Sequence, residues 1–73
     1  MSEDEAKIVL EKMKQELFKR NKAVDDSYVS LNIRRMNTEF GGKWDNNKAQ
    51  EYINSLAAEE DLREFANYTV EET

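Results

Sequence analysis

The sequence predicts an all-α fold, a small three-helix bundle with a short fourth helix at its C-terminal end, and three observations carry that prediction. Apolar residues recur at intervals of three and four through most of the chain, no proline interrupts them, and the only two glycines stand side by side as Gly41-Gly42. The glycine pair divides the chain. A residue pair free to adopt positive φ after a helical pattern reads as a helix end, and Asp45 just beyond it reads as the N-cap of the next helix.

The first helix is expected over residues 3–21. Ser2-Glu3-Asp4-Glu5 has the Ser-x-x-Glu form of a capping box, in which serine and glutamate satisfy each other's backbone amides, and its acids complement the positive end of the helix dipole. At 100° per residue Ala6, Val9, Leu10, Met13 and Leu17 share one stripe, with Lys19, Arg20 and Lys22 gathered at the end where cations are favoured. Ile8 and Phe18 fall off the stripe.

A short polar connection over residues 21–26 follows, with Asp25, Asp26 or Ser27 available to cap a second helix over 27–40. Val29, Ile33, Met36 and Phe40 form one apolar stripe on it, while Tyr28, Leu31 and Arg35 lie together on another face with Arg34 to one side. A helix with two apolar faces needs two neighbours. The third helix is expected over 46–57, burying Ala49, Tyr52, Ile53, Leu56 and Ala57. Leu62, Phe65 and Ala66 are out of phase with that stripe, and Glu59-Glu60-Asp61 between them suits the first turn of a new helix. A break near 57–60 and a fourth helix over 60–67 are therefore expected, with an acidic, frayed tail at 69–73. Residues 1–73 read as one helical domain whose short connections favour antiparallel neighbours.

Size and composition narrow the function. A chain of 73 residues is near the size at which one core supplies only about 3–5 kcal/mol of net stability. With neither Cys nor His in the sequence, disulfides and a zinc site are closed as staples, which leaves association with a partner. The same absence removes the side chains most used for acid–base and nucleophilic catalysis near neutral pH, so no enzymatic activity, catalytic residue, metal or cofactor is expected. Gly41-Gly42-Lys43 lacks the spacing and the following Ser or Thr of a phosphate loop, and Asp45-Asn46-Asn47 lacks the glycine and glutamate of a calcium loop. The longest uninterrupted apolar run, Ile8-Val9-Leu10, is far below the ~20 residues of a membrane span, and no signal-peptide pattern opens the chain. A cytoplasmic location is the expectation.

The formal charge of −5 is unevenly spread. Residues 7–48 are net basic, and residues 49–73 carry seven acids against Arg63 alone. This pattern disfavours nucleic acid as the partner, although a basic surface on the first two helices could serve that alternative, and an acidic face that mimics DNA is a third. The leading expectation is a protein-binding module, a regulator, inhibitor or adaptor of the kind found among phage and mobile-element products. It would act through apolar and aromatic side chains left over after one core stripe per helix, with a homodimer as one form of that association. The candidate partner-binding residues are Tyr28, Leu31, Arg34, Arg35, Trp44, Leu62 and Phe65, which include the aromatic and arginine types that anchor interfaces.

Overall fold

The computed structural model describes residues 1–21, 24–57 and 62–63. Three helices make up the described elements: α1 (Glu3–Lys19), α2 (Ser27–Glu39) and α3 (Asn46–Leu56), each in contact with the other two. The expected fourth helix over 60–67 is not supported: no such element is found among the described residues, and of that stretch only Leu62 and Arg63 are described. Phe65 and the 69–73 tail lie outside them.

Helix α1 begins at the expected capping box. Ser2 is extended at φ −82° and ψ 169°, its Oγ accepts from the Glu5 amide at 3.2 Å, and the Glu5 carboxylate accepts from the Ser2 amide at 3.1 Å. The helix stops two residues before the expected boundary because Asn21 turns left-handed, at φ 61°, and donates its amide to the Phe18 carbonyl at 3.0 Å. Asparagine is the side chain that tolerates this region best after glycine.

Helix α2 starts differently from its expected cap. Asp26 stands at the N-cap position but has helical dihedrals and makes no capping bond. Asp25 supplies the local acceptor instead: one oxygen, Oδ1, accepts both the Ser27 amide, at 3.0 Å, and the Ser27 hydroxyl. This leaves Asp26 free to receive Lys14 from α1, so the carboxylate not used as a cap ties the first two helices together.

The far end of α2 is closed by the glycine pair. Gly41 and Gly42 have φ of 70° and 84°, and their amides donate to the carbonyls of Thr38 at 3.1 Å and Asn37 at 2.9 Å. These are the two bonds of a Schellman motif, and they satisfy carbonyls that the helix itself leaves open. Three residues later Asp45 caps α3 by accepting from the Lys48 amide at 2.9 Å. Helix α3 ends at Leu56, one residue before the stretch where a break was expected.

The core sits where the three stripes meet. Ala6, Val9, Leu10 and Met13 from α1 are buried with Val29 and Met36 from α2 and with Ala49 and Ile53 from α3, while Ala57 and Leu62 extend the same cluster. Burying a side chain such as Leu10 or Ile53 contributes about 1.5–3 kcal/mol, so a handful of these groups dominates the stability of so short a chain. Asn32 is also buried, on the face shared by Val29 and Met36. Its Nδ2 donates to the Tyr28 carbonyl at 2.8 Å, and its Oδ1 accepts from the Tyr52 hydroxyl of α3 at 3.0 Å. The pair fixes α2 against α3 by a hydrogen bond as well as by packing.

Candidate protein-interaction surface

Packing uses up the α1 stripe and leaves Phe18, one turn past its last fully buried members, on the outside. Phe18 is 70% exposed and Leu31 of α2 is 42% exposed. Isolated exposed apolar residues are ordinary, but these two belong to one concavity. A groove of about 480 Å³ is lined by Phe18 on α1, Val24 and Asp25 in the connection, and Ser27, Tyr28 and Leu31 on α2. Tyr28 forms the inner part of this surface, partly buried and packed against the core. Burial, and behind it the proximity of Tyr52, pushes the Tyr28 phenol above its ordinary pKa.

The rim of the groove is polar at the connection. Asp25 is exposed, and its carboxyl is held below the usual aspartate pKa, first by the Ser27 hydroxyl and then by the Ser27 amide. Asp26 and Glu11 flank Lys14, whose ammonium pKa is raised chiefly by its hydrogen bond to Asp26. Arg35 follows Tyr28 by seven residues, hence two turns along the same face of α2. It is exposed and forms no ion pair among the described residues.

Tyr28, Leu31 and Arg35 lie on one face of α2, while Arg34, Trp44 and Leu62 lie off it. Arg34 is exposed beside them and borders a second, more polar groove of about 570 Å³, whose walls include Glu3, Lys7, Val29 and Ile33. Both concavities are open surface features with charged rims. Trp44 lies at the opposite end of α2. Its ring packs edge-on against Phe40 with centroids 5.6 Å apart, and its Nε1 donates to both the Met1 carbonyl and Asn46 Oδ1, at 2.9 Å each. Leu62 is only 2% exposed and is enclosed by the core cluster of its own chain. Phe65 lies outside the described residues.

Four residues that line the groove of Tyr28 and Leu31, namely Phe18, Val24, Asp25 and Ser27, are not among the candidates drawn from the sequence. Phe18 was visible as an apolar residue off the α1 stripe, and that signal was sufficient to find it. Val24 was hidden in a polar connection. Among the described residues no group of three or more metal-ligating side chains could hold an ion, and no helix is long and apolar enough to cross a membrane. Comparison with protein-family models, with curated proteins and with solved structures finds no match to this chain.

Proposed function

We propose that this protein is a non-enzymatic binding module, a regulator, inhibitor or adaptor, that engages another protein through the Phe18–Tyr28–Leu31 face of α1 and α2. The observation that carries the reading is that Phe18 and Leu31, both exposed, line a single groove, whereas Ile8, 48% exposed, does not line it. Leaving Phe18 largely and Leu31 partly exposed forgoes part of the burial that is worth about 1.5–3 kcal/mol for a fully buried side chain, a loss that a partner covering the groove would recover. Tyr28 supplies an aromatic body with a polar tip in the groove, and Arg35 a planar cation two turns further along the same face of α2, types enriched at the energetic centre of interfaces.

The test is affinity capture with wild-type protein beside a Phe18→Ala, Leu31→Ala variant, with far-ultraviolet circular dichroism on both. Both residues are exposed, so helicity should be retained while a bound protein is lost. Retention of the partner by the variant would remove this face from the function. A capture that collapses between low and moderate salt would point instead to phosphate contacts by the basic surface of the first two helices.

A further inference from the structure

The chain leaves α3 at the end of the bundle where Phe18, Tyr28 and Leu31 form their groove. Helix α3 returns along α2: Lys48 and Glu51 line one concavity with Glu39 and Phe40, and the Tyr52 hydroxyl bonds Asn32. Leu56, one turn beyond Tyr52, is therefore level with Tyr28. Leu62 is then held in the core cluster with Ala57, and residues 64–73, which lie outside the described residues, follow Arg63 directly. We propose that residues 64–73 of the same chain dock in this groove, and that a protein partner binds there by displacing them. The displacement rests on the protein-binding reading above; the docking does not.

Length and composition fit this occupant. Leu62 is 2% exposed, so the link is anchored in the core. Ten extended residues reach about 33 Å, against 34 Å for the longest dimension of the fold, and Phe65 stands only three residues beyond the anchor. Between Glu64 and Glu71 runs an uncharged stretch, Phe65-Ala66-Asn67-Tyr68-Thr69-Val70, whose two rings and valine suit a groove walled by Phe18, Val24, Tyr28 and Leu31. Charge does not choose the occupant. Lys19 and Arg20 adjoin Phe18, Asp25 and Asp26 adjoin Val24, and Lys14 with Asp26 and Lys19 with Glu16 pair within the fold. The tether does choose it: a segment joined to its site by so short a link acts at a millimolar effective concentration. A free partner at micromolar concentration, or a second copy of the chain, must bind the open groove about a thousandfold more tightly than the segment does in order to displace it.

Nuclear Overhauser spectroscopy on the full chain, in an equimolar mixture of isotope-labelled and unlabelled protein, tests the docking. Contacts are expected from the Phe65 and Tyr68 rings to the methyl groups of Val24 and Leu31, within single chains. The sequence has no cysteine, so Leu31→Cys adds an independent measurement. Its alkylation should run about tenfold faster when Phe65→Ala, Tyr68→Ala is also present, the change for a groove about nine-tenths occupied. Ile8→Cys, on the outer face of α1 with Lys7, Glu11 and Lys12, should react at one rate in both backgrounds. Circular dichroism reports folding of each variant.

Absence of the groove contacts overturns the proposal, as does finding Phe65 against the core methyls of Leu10 and Ile53 instead. Contacts seen only between labelled and unlabelled chains overturn it too, because the occupant would then belong to a second copy. For the displacement, affinity capture by Phe65→Ala, Tyr68→Ala should retain more partner than wild type, and equal capture refutes it. A chain without groove contacts that still loses a captured protein on Phe18→Ala, Leu31→Ala substitution refutes only the segment, and the binding module stands. Groove contacts in a chain from which neither wild type nor Phe65→Ala, Tyr68→Ala captures a protein refute the binding module and the displacement, and leave the docking.

Discussion

Removing the Tyr52 hydroxyl should destabilise the bundle more than its partly exposed position implies. Asn32 is 3% exposed, and its Oδ1 receives the Tyr52 hydroxyl at 3.0 Å. In Tyr52→Phe the ring and its packing remain, but a buried carbonyl oxygen loses its donor at a place that water scarcely reaches. An orphaned buried acceptor costs about 1–3 kcal/mol, and the half-buried ring next to it argues for the lower part of that range. For a chain whose core supplies only about 3–5 kcal/mol, even about 1–2 kcal/mol is a large fraction. The midpoint of thermal unfolding should fall by roughly 4–8 °C for each kcal/mol lost. Asn32→Leu should cost less, because it removes the buried demand and leaves the Tyr52 hydroxyl near solvent. The Asn32→Leu, Tyr52→Phe double variant should be close to wild type or more stable, since both polar partners are gone. Urea unfolding followed by far-ultraviolet ellipticity measures all four proteins and completes the cycle. Equal stability of Tyr52→Phe and wild type, or a double variant weaker than either single one, would refute the argument that the bond is buried and coupled.

Alanine at Gly41 or Gly42 should cost about 1–2 kcal/mol through the backbone alone, because no atom lies within 4 Å of where either Cβ would be placed and only the positive φ resists; urea midpoints check this. Ser2→Ala should cost about 0.5–2 kcal/mol and speed hydrogen exchange at the Glu5 amide, which loses its Oγ acceptor. Stability should decline as pH rises above about 10. Tyr28 and Lys14 both have raised pKa values in the fold, so the folded state holds their protons more tightly and that advantage disappears on deprotonation. Asp25 acts with the opposite sign: its depressed pKa contributes above about pH 4 and is lost as pH falls through the folded value. Thermal melts across the pH range, with tyrosinate absorbance followed in parallel, test both limbs.

Local backbone chemistry made most of the fold legible in the sequence. Ser2 with Glu5, Asp45, and the Gly41-Gly42 pair announce helix ends by side-chain and φ requirements that hold within a few residues, and all three are found as expected. The start of α2 was ambiguous because three adjacent polar residues compete for one task. The structure divides the work, giving Asp25 to Ser27 and Asp26 to Lys14, and only the tertiary approach of α1 decides between them. Asn32 was not legible at all. A polar residue between apolar ones reads as solvent-facing until its partner is known, and Tyr52 lies 20 residues away. For the proposed interaction face, the two-sided apolar pattern of α2 pointed to Tyr28, Leu31 and Arg35, but periodicity could not say which apolar residues remain outside. Leu62 went into the core and Phe18 did not, a difference settled by geometry between helices.

The position of Trp44 has a consequence for how this chain can be observed as it folds. Its indole donates to a carbonyl 43 residues away in sequence and rests on Phe40 at the end of α2. The helices themselves are local structures that form within about a microsecond, whereas that hydrogen bond requires closure of the loop that contains both α1 and α2. Tryptophan emission therefore reports the closure of this loop together with the local contacts of the indole to Phe40 and Asn46, and ellipticity reports the helices. A lag between the two signals would measure the time between helix formation and the capture of the chain's first residue by its forty-fourth; coincident signals would mean that helices this short form only as the bundle closes.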